Sequence, residues 1–330
     1  MSVRRGPAGL GFLALIAAVA VVVAVAVGPK PYDRTTVPAA LPGPTTSTSA
    51  APAPAAPAVT CGNPVASLRP AGPSGTAVAP GSYMAKIKQR GRLRVGVDPS
   101  KRLFSSVGST SNQPVGFDID VARSVAAALL GRPEAVDFVF IPTSERVNVL
   151  AAGKVDLVAD TFTINCARRK AIDFSTEYFT SGQRLLVRRG DRAEDIAGMA
   201  RRPVCAATGS TSIENLEKLP AASRPEVVSV IDQADCLVLL QQGKVDGIST
   251  DDTILAGMAA QDPNVTIVGR PFSREPYGLG VPKGHPEWTR YVNGVLEDLR
   301  SSGRWDQIYD RWLRSALGPS PGPPAAAYAG

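Results

Sequence analysis

The chain has 330 residues, a net charge of +7 and 44% hydrophobic residues, enough for one large or two modest domains. Its basic residues are scattered, without the basic–aromatic interleaving that a nucleic-acid surface needs. His285 is the sole histidine and no two cysteines have zinc-ligand spacing, so neither a metal centre nor a Ser–His–Asp or Cys–His catalytic arrangement is expected, and no cofactor.

Arg4 and Arg5 precede an uncharged apolar run at 10–27. That run is longer than the core of an ordinary cleaved signal and close to the shortest membrane span. Residues 1–28 are therefore expected to be a signal or membrane anchor, with the remainder exported; cleavage and release is the alternative. Residues 29–80, rich in Pro, Ala, Ser and Thr, read as an extended tether, and 318–330 as a disordered Pro-rich tail.

The intervening body alternates strands and helices. A strand at 93–97 precedes a helix carrying Phe117, Val121, Val125 and Leu129 at helical spacing behind Asp118. A strand at 137–141, a helix from Thr143 or Ser144 and a strand at 155–159 follow. Residues 183–187 read as a crossover into a second set: strand 203–206, a turn at 208–212, a helix from about 212, strand 227–230, helix 234–242, strand 247–249 and helix 253–260. The chain returns through 267–272 to a strand at 277–281 and two closing helices. The last places Trp305, Ile308, Tyr309, Trp312 and Leu313 on one core-facing side. Leu-Ala-Ala-Gly-Lys-Val-Asp at 150–156 recurs as Leu-Gln-Gln-Gly-Lys-Val-Asp at 240–246, each a helix end with a glycine cap before a short strand. The repeat implies two similar α/β lobes and a cleft between them. Expected bounds are 81–186 with 272–317 for lobe 1 and 187–271 for lobe 2.

Four cysteines in an exported chain favour disulfides. Cys205 ends a strand and Cys236 opens a helix of the same lobe, which makes them the preferred pair; Cys61 with Cys166 would then pin the tether to lobe 1.

The segment 161–175, Thr-Phe-Thr-Ile followed by Arg-Arg-Lys-Ala-Ile-Asp-Phe-Ser, resembles the first-lobe ligand segment of extracellular solute-binding proteins for polar amino acids, the receptors of ABC importers. Further matches are Gly-Arg-Leu-Arg-Val-Gly-Val-Asp at 91–98, Val-Gly-Phe-Asp-Ile-Asp-Val-Ala at 115–122, Thr-Gly-Ser-Thr-Ser at 208–212 and Ser-Thr-Asp-Asp-Thr at 249–253. Tyr-Gly-Leu-Gly-Val at 277–281 and Trp-Asp-Gln-Ile-Tyr at 305–309 complete them in family order. The resemblance is nearest to actinobacterial glutamine/glutamate-binding lipoproteins, although Thr60 before Cys61 departs from a lipidation site. It implies the two-lobed periplasmic-binding-protein-like (type II) fold, with two crossovers at a hinge.

By the same resemblance Arg168 binds the α-carboxylate of the ligand, helped by Thr163, with Thr161 and Phe162 in the same segment. A planar guanidinium suits this task because it donates two parallel hydrogen bonds. Asp251 takes the ammonium, Asp98 matches a site aspartate, and Ser210 and Thr211 reach the carboxylate from lobe 2. Arg146 stands where glutamate/aspartate binders read the distal carboxylate, and Lys101 adds positive potential. A second buried cation points to an acidic amino acid, L-glutamate or L-aspartate, or its amide. The resemblance implies a non-enzymatic, monomeric receptor outside the cytoplasm, serving an ABC importer permease or a membrane-bound sensor. The competing class is a dehydratase-like enzyme of the same fold, which would need a positioned general acid or base.

Overall fold

Two five-stranded sheets divide the body. In the computed structural model, residues 61–72, 78–108 and 112–329 are described, all within the unit Pro57–Gly330. The expected N-terminal anchor and most of the tether lie outside the described residues. Among the described residues no helix is long and apolar enough to cross a membrane.

The first sheet runs Val136–Phe140, Leu93–Val97, Leu157–Val158, Glu275–Pro282, Ile172–Ser181. Its first three strands are parallel, and Glu275–Pro282 is antiparallel to both neighbours. The second runs Glu226–Val230, Pro203–Ala207, Gly247–Asp251, Gln183–Arg188, Val265–Val268, with Gln183–Arg188 antiparallel to both neighbours. Each sheet thus has one parallel trio, first strand in the middle, linked by helices as parallel strands require. The sequence repeat falls on equivalent parts of these trios. Helix Arg146–Ala151 leads to Leu157–Val158, and helix Asp235–Gln241 leads to Gly247–Asp251.

Successive strand residues point to opposite faces, and both faces are buried. Leu157 belongs to the core that holds Phe117, Trp288 and Trp305, and Val158 to the one that holds Leu150, Phe162 and Phe174. In the second lobe Leu186 and Cys205 face one core, and Leu185 and Val204 the other. These layers fix the upper ends of the parallel strands, where the candidate site sits.

The chain crosses between sheets at Gly182, because Gln183–Arg188 already pairs with Gly247–Asp251. This corrects the expected end of lobe 1 at residue 186. A Cβ at Gly182 would lie 2.6 Å from Pro271 Cβ, so only glycine lets the two crossing strands touch. There Phe272 N donates to Gln183 O at 3.0 Å and Gln183 N donates to Ser273 Oγ at 3.3 Å. The two crossovers form one narrow hinge.

The disulfides are Cys61–Cys166 and Cys205–Cys236. The tether and tail depart from expectation. Ser67 pairs with Tyr328 in a parallel bridge, and Asn293 Nδ2 donates to Ser67 Oγ and Leu68 O. Arg300 Nε donates to Pro324 O, and the Arg69 guanidinium covers the Tyr328 ring. Composition reads such segments as disordered, since they cannot build a core alone. Here they need none: their backbone groups bond to one another and to lobe 1.

Candidate functional site

Lobe 1 brings its polar residues to the strand ends. Asp98 follows strand Leu93–Val97, and the short strand Ser100–Lys101 carries Lys101 back toward it. Lys101 Nζ lies 2.6 Å from Asp160 Oδ1 and 3.6 Å from Asp98 Oδ2. Arg146, the first residue of helix Arg146–Ala151, donates to Thr143 O at 2.8 Å and Asp160 O at 3.1 Å, with the Asp160 carboxylate 3.7 Å away. All four charged side chains are buried. Burial pushes the Asp98 carboxyl up, but the Lys101 charge and hydrogen bonds from Ser100 and Thr143 outweigh it and hold it below its usual range.

The ligand segment bends sharply after Asp160. Thr161 has φ +42°, a left-handed conformation strained for a β-branched residue. Its N–H donates to Asp118 Oδ2 at 2.7 Å, and Tyr178 Oη donates to the other oxygen at 2.6 Å. Asn165 then caps helix Cys166–Arg169 by accepting from Arg168 N at 2.9 Å. Arg168 is buried; its guanidinium donates to Thr163 O at 2.6 Å and Gly209 O at 3.2 Å. Among the described residues no carboxylate stands within ion-pair distance of it. Burial, then the Arg146 charge, lower its pKa to about 9.

Lobe 2 answers with a turn and a strand end. Gly209 has φ +75°, and a Cβ there would sit 2.6 Å from Ser144 Cα of lobe 1, so this contact between lobes accepts only glycine. Ser210 and Thr211 open helix Thr211–Glu217. Asp251 ends strand Gly247–Asp251 at the N-cap of Asp252–Ala259, but its side chain makes no capping bond. It accepts instead from Tyr277 Oη at 2.5 Å. Among the described residues no cation pairs with it, and burial, then the Glu275 charge, raise its pKa to about 7.

Glu275 was not legible as a site residue. It is buried and accepts from Thr163 and Ser273 of its own side, and from Thr211 and Asn215 of lobe 2, at 2.6–2.8 Å. It joins the lobes beside the hinge.

Between the lobes lies a polar cavity of ≈ 20 Å³, room for about one water molecule. Lobe 1 lines it with Lys101, Thr143, Arg146, Thr161 and Thr163; lobe 2 adds Ser210, Thr211, Ser212, Gln233, Thr250 and Asp251, with Ile254 the sole aliphatic. Of the expected residues, Lys101, Arg146, Thr161, Thr163, Ser210, Thr211 and Asp251 therefore share one wall-to-wall space. Arg168 stands behind Thr163, close enough to feel the Asp251 charge. Asp98 backs Lys101. Phe162 is core, packed on Phe174, with the Arg146 and Arg168 guanidinium carbons 4.5 and 4.9 Å from its ring centroid. Gln233, Thr143, Ser212 and Thr250 were not singled out as site residues, since single polar residues in a turn, at a helix start or in a strand carry no periodic signal. His285 packs against the Tyr83 ring at a tilt, at the start of helix Pro286–Ser301 and off the cavity.

Two α/β lobes on a paired-strand hinge, with a buried polar cavity at their meeting ends, define a two-lobed periplasmic-type (type II) binding fold. Residues 93–315 match the model of the bacterial extracellular solute-binding proteins, family 3, and the chain belongs to that family. It is 36% identical over 233 residues to the ABC transporter glutamine-binding protein of Bacillus subtilis, covering 70% of this chain and 84% of that one. To the glutamate/aspartate import solute-binding protein of Escherichia coli it is 29% identical, covering 74% and 83%. A solved ancestral arginine-binding protein bound to glutamine superposes with a TM-score of 0.63 at 33% identity, covering 68% of this chain and 98% of that one.

Proposed function

We propose that this protein captures a polar amino acid between its lobes, with an uncharged amide side chain, as in L-glutamine or L-asparagine, preferred over the corresponding acid. The observation that carries this reading is a pair of unmatched buried charges. Among the described residues, Arg168 of lobe 1 donates only to carbonyl oxygens, and no cation pairs with Asp251 of lobe 2. An α-amino acid brings the carboxylate and the ammonium that these groups lack.

The remaining charges favour the amide. Arg146 and Lys101, whose presence suggested an acidic ligand, are offset inside lobe 1 by Asp160 and Asp98. With Glu275 also buried at the hinge, a second ligand carboxylate would meet no free cation among the described residues that line the cavity. The glutamine-binding relative agrees with this balance. Its relatives are named solute-binding proteins and not enzymes, so the role proposed is capture and release outside the cytoplasm. The closed form would be presented to an ABC importer permease or a membrane-bound sensor, from a chain anchored by its N-terminal segment or released by cleavage.

A melting-temperature screen of the purified protein against twenty amino acids tests the reading. Glutamine or asparagine should give the largest shift, since a ligand at a hundredfold excess over Kd stabilises by about 2.7 kcal/mol. A larger shift with glutamate or aspartate would refute the charge argument, and no shift with any would refute the capture role.

A further inference from the structure

Residues 231–234 form an exposed turn between strand Glu226–Val230 and helix Asp235–Gln241, with one exception. Gln233 alone points inward and is only 2% exposed, on the cavity wall opposite Lys101 and Arg146 of lobe 1. Its carboxamide nitrogen has no hydrogen-bond partner among the described residues. A buried amide donor left unpaired is costly, and native proteins seldom retain one without a use.

The turn holding it is closed by its own hydrogen bonds. Asp232 Oδ1 accepts from Ala234 N at 2.9 Å, Asp232 O accepts from Asp235 N at 3.1 Å, and Gln233 O accepts from Cys236 N at 3.3 Å. Cys236 is in turn bonded to Cys205 of strand Pro203–Ala207. Gln233 is thus held in place by its own backbone and by the disulfide, and its side chain is not needed to build the turn.

Taking the capture role proposed above as given, Arg168 and Asp251 account for the two α-groups. We propose that Gln233 is a specificity-determining residue, whose side-chain N–H donates to the distal oxygen of the bound amino acid's side chain. Being neutral, it serves an amide or a carboxylate oxygen alike, and it rejects ligands with no oxygen there, because its donor would remain unpaired.

The test is calorimetric titration of the purified protein, Gln233→Leu and Gln233→Glu with glutamine, glutamate and norvaline, which has the same backbone but no distal oxygen. Gln233→Leu should weaken glutamine about tenfold or more and leave norvaline unchanged or tighter. Gln233→Glu should shift the glutamate-to-glutamine affinity ratio about tenfold toward glutamine, through carboxylate repulsion. Equal losses for glutamine and norvaline in the first variant, with an unchanged ratio in the second, would overturn the assignment while leaving the capture role standing. If the unsubstituted protein binds no amino acid, the capture role itself fails and takes this assignment with it.

Discussion

At the scale of single residues, Asp251 sets how binding depends on pH. Its carboxyl, raised by burial and by Glu275, titrates at about 7 with Asp252, Lys101 and the Tyr277 hydroxyl around it. Only the ionised form can receive an ammonium, so affinity should fall about tenfold for each pH unit below 7. Calorimetry in buffers of different ionisation enthalpy should register close to one proton released per ligand at pH 6, and Asp251→Asn should bind weakly with no pH dependence. Stability without ligand should run the other way. Asp251 and Asp118 both rise from 3.8 to about 7 on folding. Their contribution is complete below 3.8 and lost as pH climbs through 7, about 1 kcal/mol each between pH 6 and 8. A melting temperature that rises over that interval would contradict the burial of both groups. Arg146 belongs to this scale too. Arg146→Ala leaves Asp160 with one cation in place of two, so a stability loss of about 3 kcal/mol is expected, with glutamine and glutamate affinities falling together. A selective loss of glutamate binding would restore it as the reader of an acidic side chain.

At the scale of elements, helix Cys166–Arg169 is four residues long and cannot hold its own geometry. It is fixed from outside. Cys166 is bonded to Cys61, and Arg169 donates to Pro64 O and Ala66 O. The last part of the tether therefore braces the element that carries Arg168. Replacing Cys61 and Cys166 together with serine removes a cross-link spanning 105 residues, for which chain entropy alone predicts a loss of about 4–5 kcal/mol. Ligand affinity should drop as well, through Arg168, whereas the same change at Cys205 and Cys236 should act on lobe 2 and reach the ligand through the turn that holds Gln233. Equal affinities before and after the first change, by titration at a temperature where both proteins are folded, would show that the brace does not position Arg168. Much of this architecture was legible beforehand: apolar periodicity gave the strands and helices, and the Gly-Lys-Val-Asp repeat gave the two lobes. The disulfide that pins the tether to lobe 1 was legible too, but the pairing of tether with tail was not, because Ser67, Asn293 and Tyr328 are distant in sequence and their hydrogen bonds leave no local pattern. Nor was the neutralisation of Lys101 and Arg146, since Asp160 reads as one more residue of a strand end until the fold turns it inward.

At the scale of the whole molecule, the ≈ 20 Å³ cavity is far smaller than any amino acid, so a ligand enters only when the lobes part about Gly182 and the 271–273 strand. Closure must then be stabilised by contacts made to both lobes at once. Gly209 marks where the lobes meet: Arg146 and Arg168 of lobe 1 both donate to its carbonyl, and Ser144 Cα occupies the space a Cβ would need. Gly209→Ala should obstruct this meeting and strain the backbone at φ +75°, while disturbing neither sheet. If closure is what the ligand selects, the population of the closed form falls and apparent affinity falls in proportion. A loss of about tenfold or more is expected, with the compaction that ligand produces in small-angle X-ray scattering reduced or absent. The melting temperature without ligand should move little, since each lobe retains its own core. Unchanged affinity together with undiminished compaction would mean that the lobes grip their ligand without closing to this arrangement.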